Sequence, residues 1–259
     1  MNEILNLIET KSEQLAKNPF CQWILSSNHS SDEETFSFTP SMLYFILGFR
    51  DILNHLEYIN PQTELEKIIN QHCLEDKNHW KWYLQDLKTL GACKTSWGGD
   101  WSNFVDKIWH DENKPTRDLV YLCIHLIKKH QSPKASLVII ECLESTFGVF
   151  MSTIKSKFQD SHIYSRLQFF GQIHQEQEMN HSLGHWIDAD NAITANHSQV
   201  SVLEKIHVTD TEKAELLTTV NIIFKQFELV FKTWLQLKKQ YLMPRFIIPK
   251  PELSAVYTN

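Results

Sequence analysis

The sequence predicts an all-α protein, a bundle in which roughly seven or eight helices pack together. Glycine and proline are scarce, with 7 and 8 residues in a chain of 259, so the turn residues that many short strands require are missing. Hydrophobic residues make up 42% of the chain, which is enough for a substantial core. No repeat, low-complexity tract or glycine-serine linker divides residues 1–259, so we interpret them as one domain with a flexible tail from about residue 249.

Capping residues and apolar periodicity place the individual helices along the chain. The predicted helices are an amphipathic stretch at 2–16; 39–59, begun by Thr39 and Pro40; 61–91, begun by Asn60 and Pro61 and closed by Gly91; 97–109; 115–130; 133–158, begun by Ser132 and Pro133; 162–189; and 209–242, begun by a capping box from Thr209 to Glu212. The helix at 61–91 would run for about eight turns. Polar segments, such as residues 26–37, join these helices.

Charge and cysteine content exclude several classes of partner. The net charge is -6, with 25 basic and 31 acidic residues, so we expect neither nucleic acid nor an anionic membrane as a partner. The 5 cysteines are scattered without a CxxC pair, and no signal peptide is evident at the start, which together favour reduced thiols in the cytoplasm. No apolar run approaches the roughly 18 to 20 residues that span a bilayer.

Acids and histidines occur in three predicted helices at positions where the pattern calls for apolar residues. Within each group the spacing is three or four residues, so the side chains share a helix face. The candidate residues are His72, Glu75, Asp76 and His79 in the first helix; Glu141 and Glu144 in the second; and His174, Glu178, His181 and His185 in the third.

These groups have both a metal-binding and a structural interpretation. An ionised carboxylate is costly to bury alone, so Glu144 should be protonated, paired with lysine or arginine, or bound to a metal. The pairs Asp76-x-x-His79 and Glu178-x-x-His181 have the spacing of ligands in di-iron helical bundles. Together with Glu144 they would supply oxygen and nitrogen ligands for two iron or manganese ions. The structural alternatives are a solvated helix face in the first group and a buried salt bridge at Glu144.

In this order the three motifs resemble the haem-oxygenase-like superfamily of TenA-, PqqC- and CADD-like proteins, and within it the iron-containing branch of di-iron oxidases. The segment "HCLEDKNHWKWYLQDLKTLG" looks like the H-x-x-E-[ED]-x-x-H…DL…LG helix of that branch. Likewise, "ECLESTFG" is similar to its "LEG" helix and "HQEQEMNH" to its H-x-x-x-D-x-x-H helix. The resemblance covers roughly residues 40–240.

The resemblance implies a haem-oxygenase-like fold and about two iron ions per chain, with O₂ as co-substrate, a small organic substrate and assembly as a homodimer. The implied metal ligands are Asp76 or Glu75, His79, Glu144, His174, Glu178 and His181, with His72, Glu141 and His185 as alternates. The E-x-x-H spacing of the relatives favours Asp76 over Glu75. Asp76 is shorter and Glu178 longer than the usual residue, which moves the oxygen by ~1.5 Å and would weaken one metal site or let Glu75 serve as the ligand instead.

Other members of the superfamily suggest alternative functions. A TenA-like hydrolase of thiamine compounds would need a cysteine nucleophile, for which Cys142 is the candidate. A metal-free binding or interaction protein would use the acids and histidines as a buried hydrogen-bond network. Haem oxygenases hold haem through a histidine on their first helix. In this chain no histidine precedes His29, so haem ligation is disfavoured. PqqC-like oxidases bind an anionic quinone precursor in a basic pocket of histidine and arginine. This chain has only four arginines, at positions 50, 117, 166 and 245, which argues against such a substrate. The primary hypothesis is an O₂-activating oxidase or oxygenase.

Overall fold

The computed structural model describes residues 1–26, 31–91, 101–175 and 206–241. These residues contain no β-strand, which confirms the all-α prediction, and eight of their helices have nine or more residues. The α-helices are α1 (Asn2–Ala16), α2 (Pro19–Leu25), α3 (Asp32–Thr35), α4 (Leu43–Leu56), α5 (Glu64–Asp76), α6 (His79–Thr89), α7 (Trp101–Trp109), α8 (Lys114–His130), α9 (Pro133–Phe158) and α10 (Asp210–Tyr241). Three 3₁₀ segments are Phe36–Met42, Asp111–Asn113 and Tyr164–Arg166.

Helix α9 lies at the centre of the bundle, where it packs against α1, α2, α5, α8 and α10. It is the one helix in the described ranges that is long and apolar enough to span a membrane, with a mean hydropathy of 1.6. This corrects the expectation that no apolar run of that length occurs. Because 83% of this apolar stretch is buried within the fold, its position in the protein core accounts for its composition.

Aromatic side chains fill the core between α2, α9 and α10. The ring centroid of Phe20 lies 4.9 Å from that of Phe38, 5.1 Å from that of Phe231 and 5.8 Å from that of Trp234. Trp234 also donates a hydrogen bond from Nε1 to Thr116 Oγ1 at 3.1 Å, so its polar atom is satisfied despite burial. Phe150 of α9 joins this core, with its ring centroid 6.4 Å from that of Phe20 and 5.9 Å from that of Phe38.

Several of the predicted helix ends are present in the structure. At the start of α10 the backbone N–H of Glu212 donates to Thr209 Oγ1, while Glu212 Oε2 accepts from the Thr209 backbone N–H, which confirms the capping box. Gly91 follows the end of α6 with φ of 67°, a left-handed conformation that favours glycine. The starts of α8 and α9, with proline in the first turn, also agree with the prediction.

Two of the predicted helix starts are wrong. Thr39 and Pro40 lie inside the 3₁₀ segment, and α4 begins only at Leu43. The next helix begins at Glu64, three residues later than the predicted Pro61, because Thr63 and Glu66 form a capping box.

The predicted helix 61–91 is two helices. It breaks between Asp76 and His79, and Arg50 Nη1 donates to the Lys77 carbonyl oxygen at 2.9 Å, which satisfies a carbonyl at the end of α5. The predicted helix 162–189 is also interrupted, since helix resumes only at 172–175 after the 3₁₀ segment. The remainder of that predicted helix lies outside the described residues.

Helices α4 and α8 are in close contact at Gly48 and Val120. We therefore expect the effect of Gly48→Ala on stability to change sign when Val120 is made smaller. A Cβ atom on Gly48 would lie 2.8 Å and 2.9 Å from the two γ-carbons of Val120. We therefore expect Gly48→Ala to lower the free energy of unfolding by about 1–3 kcal/mol. In a Val120→Ala background the two γ-carbons are absent and the nearest side-chain atom of residue 120, its Cβ, lies 3.4 Å away, so the same change should stabilise the helix by up to about 1 kcal/mol. Urea denaturation of the four proteins measures both effects, and equal effects of Gly48→Ala in both backgrounds would contradict the packing.

Candidate functional site

Acids and histidines from three parts of the chain meet inside the bundle. Each is almost completely buried, with no more than 6% of its surface exposed. This acid–histidine cluster comprises His72 and Asp76 of α5, His79 of α6, Glu141 and Glu144 of α9, and His174 of the helical residues 172–175. The structure thus brings together members of all three groups that the sequence singled out. Glu178, His181 and His185 lie outside the described residues.

His72, Asp76 and Glu144 form the tightest part of the cluster. His72 Nε2 lies 3.0 Å from Asp76 Oδ2 and 3.4 Å from Glu144 Oε1. One donor atom from each of the three residues lies within 4.8 Å of the others. Ligands bound at ~2.1 Å to one ion lie about 3 Å apart. The triad is therefore spaced to hold a single cation.

His79 and His174 form the second part of the cluster. His79 Nδ1 lies 3.0 Å from His174 Nε2 and 3.6 Å from Asp76 Oδ1. Asp76 thus directs one carboxylate oxygen at the His72 side of the cluster and the other at the His79 side. A carboxylate in this position can bridge two cations, which is the role that carboxylates play in di-iron bundles.

Glu75 and Asp76 occupy different environments although they are adjacent in sequence. Asp76 is 3% exposed and lies in the cluster. Glu75 is half-buried, and its Oε1 accepts a hydrogen bond from Gln71 Nε2 at 2.6 Å, one turn earlier on α5. The structure therefore places Asp76, and not Glu75, beside His79 and Glu144.

Several polar atoms of the cluster are buried without a hydrogen bond to any residue in the described ranges. They are His72 Nδ1, Asp76 Oδ1, Glu141 Oε1 and Glu144 Oε2. His72 Nε2 also lacks hydrogen-bond angles to the carboxylates that flank it, so that contact is electrostatic. Leaving a buried polar atom unsatisfied costs about 1–3 kcal/mol, and most such atoms in proteins are paired. This donor set suits a group that supplies positive charge.

The structure also separates the two interpretations of Glu144. Among the described residues its ionic contact is with His72, and the cavity beside it is lined by no lysine or arginine. The alternative of a salt bridge to lysine or arginine is therefore wrong for the part of the chain that is described. Histidine is an imidazole ligand as well as a proton carrier, so the pairing is compatible with a metal site.

Burial and charge shift two proton equilibria in the cluster. Burial lowers the pKa of His72, but the carboxylates of Asp76 and Glu144 outweigh it and hold the pKa well above the usual 6.5. Burial and, to a smaller extent, the charge of Glu144 raise the pKa of Glu141 from 4.5 to about 8, while His72 opposes the shift. At neutral pH Glu141 is therefore mostly protonated, while His72 carries the positive charge that the carboxylates attract.

A small cavity borders the cluster. It encloses about 40 Å³, enough for one or a few water molecules or ions. Its lining consists of Asp76, His79, Glu144 and His174 with the apolar side chains Phe45, Ile46, Phe49, Trp80, Leu143, Phe147 and Phe169. A second cavity of about 20 Å³ shares Phe45, Leu143 and Phe147 with the first and extends between α9 and α10. The space beside the donor atoms is thus strongly apolar.

Asp86 is a buried acid close to the site, and it is the aspartate of the "DL" pair in the motif of the first helix, for which the sequence predicts no role. It lies on α6, is 0% exposed, and accepts hydrogen bonds from the backbone N–H groups of Gln168 and Phe170. The available signal was its register, because Asp86 lies three residues after Tyr83 on the buried face of α6.

Cys142 does not have the environment of a nucleophile. It is 0% exposed on α9, and it is not among the residues that line the cavity. Burial raises the pKa of its thiol well above 9, and the neighbouring Glu141 raises it further. Reactive cysteines have the opposite environment, which is partly exposed and electropositive.

A comparison with solved structures identifies the fold. A TenA homologue from Pyrococcus furiosus has a similar structure, with a TM-score of 0.58 over 92% of this chain and 98% of that chain. The two sequences are 13% identical, so the similarity establishes the fold and not the reaction. It confirms the haem-oxygenase-like, TenA-type all-α fold. A scan of protein-family models and a search of curated proteins find no match to the sequence.

Proposed function

We propose that this chain, which has the haem-oxygenase-like fold, is a non-haem oxidase or oxygenase that uses iron and O₂ to oxidise a small organic substrate. The observation that carries the proposal is the buried acid–histidine cluster, in which Asp76 Oδ1 and Glu144 Oε2 have no hydrogen bond to any described residue. Buried carboxylates in proteins are usually paired with a positive charge or bound to a metal, and the ionic partners of these two are His72 and His79, residues of a type that also binds metals.

The donor atoms fit iron or manganese. Carboxylate oxygen and imidazole nitrogen suit these metals, whereas an iron–sulfur cluster would draw on cysteine sulfur. His72, Asp76 and Glu144 would hold one ion. His79 and His174 would hold another, together with the second Asp76 oxygen, which lies 3.6 Å from His79 Nδ1. The resemblance adds Glu178 and His181 to this second group, for about two ions per chain.

The chain's own residues would prepare the site for oxidation. When bound, iron would supply the activation of O₂. The aromatic walls formed by Phe45, Phe147 and Phe169 would exclude water from the donor atoms, which strengthens electrostatic interactions there. Glu141 holds a proton at neutral pH beside Glu144, and it could return that proton to the site. His72 must lose its proton before its nitrogen can bind a cation.

The lining of the cavity favours an uncharged, apolar substrate. The described walls are aromatic and aliphatic and include no lysine or arginine, so an anionic group on the substrate would face carboxylates without a counter-charge. At about 40 Å³ the described cavity is large enough for O₂ or a few water molecules but smaller than the usual site for an organic molecule, so the substrate would bind beside this space and not wholly within it. A cytoplasmic location and assembly as a homodimer remain predictions.

Oxygen uptake by the reconstituted protein tests the proposed function. The metal-free protein is loaded anaerobically with Fe(II), passed over a desalting column and mixed with O₂, and uptake is followed with an electrode. We expect uptake in proportion to bound iron and faster than in a matched solution of free Fe(II). Glu144→Gln keeps the shape of the side chain and removes its charge, so it should lose the uptake. Equal uptake by Glu144→Gln and the wild type would contradict the proposal.

Thiol labelling tests the alternative of a cysteine-dependent hydrolase. Four cysteines, at positions 21, 73, 123 and 142, are buried in the described residues, and burial raises the pKa of Cys123 to about 12. In a Cys93→Ser background we expect a disulfide reagent at pH 8 to label the native protein at less than about one hundredth of the rate of a free thiol. Denaturant should expose all four thiols. Rapid labelling of Cys142 in the native protein would instead support the hydrolase.

A further inference from the structure

We propose that Asp86 is a positioning residue for the candidate site, because its carboxylate shapes the loop at residues 167–171 and thereby fixes the ring of His174. Asp86 does not touch the cavity, so it acts on the site through the loop. The link to metal affinity rests on the proposed function, whereas the effect on the His174 ring does not.

The first step is the contact between Asp86 and the loop. Asp86 Oδ1 accepts from the Gln168 backbone N–H at 2.8 Å, and Oδ2 accepts from the Phe170 backbone N–H at 2.9 Å. Hydrogen bonds to an ionised carboxylate are roughly twice as strong as neutral ones. Both oxygens of one rigid side chain on α6 therefore hold two backbone groups of the loop, which sets its distance from the helix.

The second step is the tightness of the loop itself. A Cβ atom on Gly171 would lie 2.0 Å from the Leu167 carbonyl oxygen, so only glycine fits at that position. The ring of Tyr83, on the same face of α6 as Asp86, packs edge-on against Phe169 at 5.5 Å and Phe170 at 6.0 Å between centroids. The loop is thus confined by its own backbone on one side and by α6 on the other.

The third step connects the loop to the cluster. His174 Nδ1 lies 2.8 Å from the Phe169 carbonyl oxygen. A carbonyl oxygen can only accept, so His174 Nδ1 carries the hydrogen. In the neutral ring Nε2 therefore presents its lone pair, and it does so 3.0 Å from His79 Nδ1. Metal-binding histidines are commonly fixed by such a bond from the second ring nitrogen to a carbonyl or carboxylate.

Asp86 therefore positions His174 through the loop at residues 167–171, although it does not contact the donor atoms itself. Its burial raises its pKa to about 6, although the loop N–H groups lower it. Burying an ionised carboxylate lowers stability, and residues that lower stability in this way are often found at functional sites. Here the function of Asp86 is to hold the Phe169 carbonyl oxygen in the position where it accepts from His174 Nδ1 and so selects one tautomer of that ring.

The ring nitrogens of His174 provide a readout that a general loss of stability would not change. Long-range ¹H–¹⁵N spectra of the metal-free protein distinguish Nδ1–H from Nε2–H histidines, and a His174→Asn variant assigns the signal. In the wild type we expect His174 to carry hydrogen on Nδ1. In Asp86→Asn one amide N–H group would face the donors of the loop, and we expect averaged ¹⁵N shifts from a mixture of tautomers. Asp118→Asn, at a surface aspartate that pairs with Lys114, is the matched control and should keep the wild-type signal.

The outcomes separate the inference from its alternatives. An Nε2–H signal for His174 in the wild type would overturn it without any variant, even if Asp86→Asn fails to fold. A folded Asp86→Asn with an unchanged Nδ1–H signal would overturn it as well. Asp86→Glu keeps the charge on a longer side chain and should recover part of the Nδ1–H signal, as a positioning role requires.

Metal titration then tests the connection to the proposed function. With Co(II) as a spectroscopic probe, Asp86→Asn should bind about 10- to 100-fold more weakly than the wild type, with Asp118→Asn unchanged. Equal affinities in Asp86→Asn and the wild type would overturn the inference while leaving the proposed function intact. Absence of binding in the wild type would instead contradict the proposed function. The ¹H–¹⁵N spectra of His174 would still test the role of Asp86 in that case.

Discussion

Asp76→Asn is expected to abolish metal binding, whereas Glu75→Gln is expected to leave it unchanged. The two changes remove the same charge from adjacent residues of α5. Asp76 is 3% exposed and contacts His72 and His79, while Glu75 is hydrogen-bonded to Gln71 at the half-buried face. Because Asp76 would serve both ions, its loss should lower the affinity for Fe(II) or Mn(II) by at least about 100-fold.

Isothermal titration under anaerobic conditions measures this pair of variants. Thermal denaturation of the metal-free proteins checks that both fold. A loss of binding in Glu75→Gln with retention in Asp76→Asn would show that the other carboxylate reaches the metal. Retention in both would show that metal binds elsewhere on the protein.

Glu141→Gln is expected to remove much of the pH dependence of stability in the metal-free protein. The pKa of Glu141 is raised from 4.5 to about 8, so the folded state binds one proton more tightly than the unfolded state. The stabilisation is complete below pH 4.5 and is lost as the pH rises toward 8. Each pH unit within this window corresponds to about 1.4 kcal/mol, so the wild type should lose about 3 kcal/mol between pH 5 and pH 7 from this residue.

Urea denaturation in the presence of a chelator measures this effect across the same range of pH. Glutamine resembles the protonated acid, so the stability of Glu141→Gln relative to the wild type should increase with pH. His72 contributes a slope of the same sign, because its pKa is also raised, and this slope remains in both proteins. Glu228→Gln, on the exposed surface of α10, is the matched control. Parallel stability curves for Glu141→Gln and the wild type would show that Glu141 ionises normally.

The helical architecture could be predicted because local patterns determine it. Prolines in the first turn set the starts of α8 and α9, and Thr209 with Glu212 caps α10. The inward face of α9 was also predictable, because Glu144 interrupts an apolar run and buried charge needs a partner. The apolar pattern of a helix thus identifies the polar side chains that occupy core positions.

The remainder depends on contacts between residues distant in sequence. The break between Asp76 and His79 involves Arg50, 27 residues before Lys77, and the local signal there is a single asparagine, Asn78, at the N-cap of α6. The choice between Glu75 and Asp76 follows from which face of α5 packs against α9, since periodicity permits either. Asp86 acquires its role only through Gln168 and Phe170, 82 and 84 residues later. Such contacts are set by tertiary packing, which local sequence does not encode.

Anomalous diffraction from crystals soaked anaerobically with Fe(II) tests the central claim most directly, because it locates iron by its own scattering. We expect iron in the acid–histidine cluster, within ~2.1–2.3 Å of His72, Asp76 and Glu144, and a second peak beside His79 and His174. Both peaks should be absent from crystals of Asp76→Asn. Wild-type crystals with no iron in the cluster, or with iron bound only at the protein surface, would contradict the account.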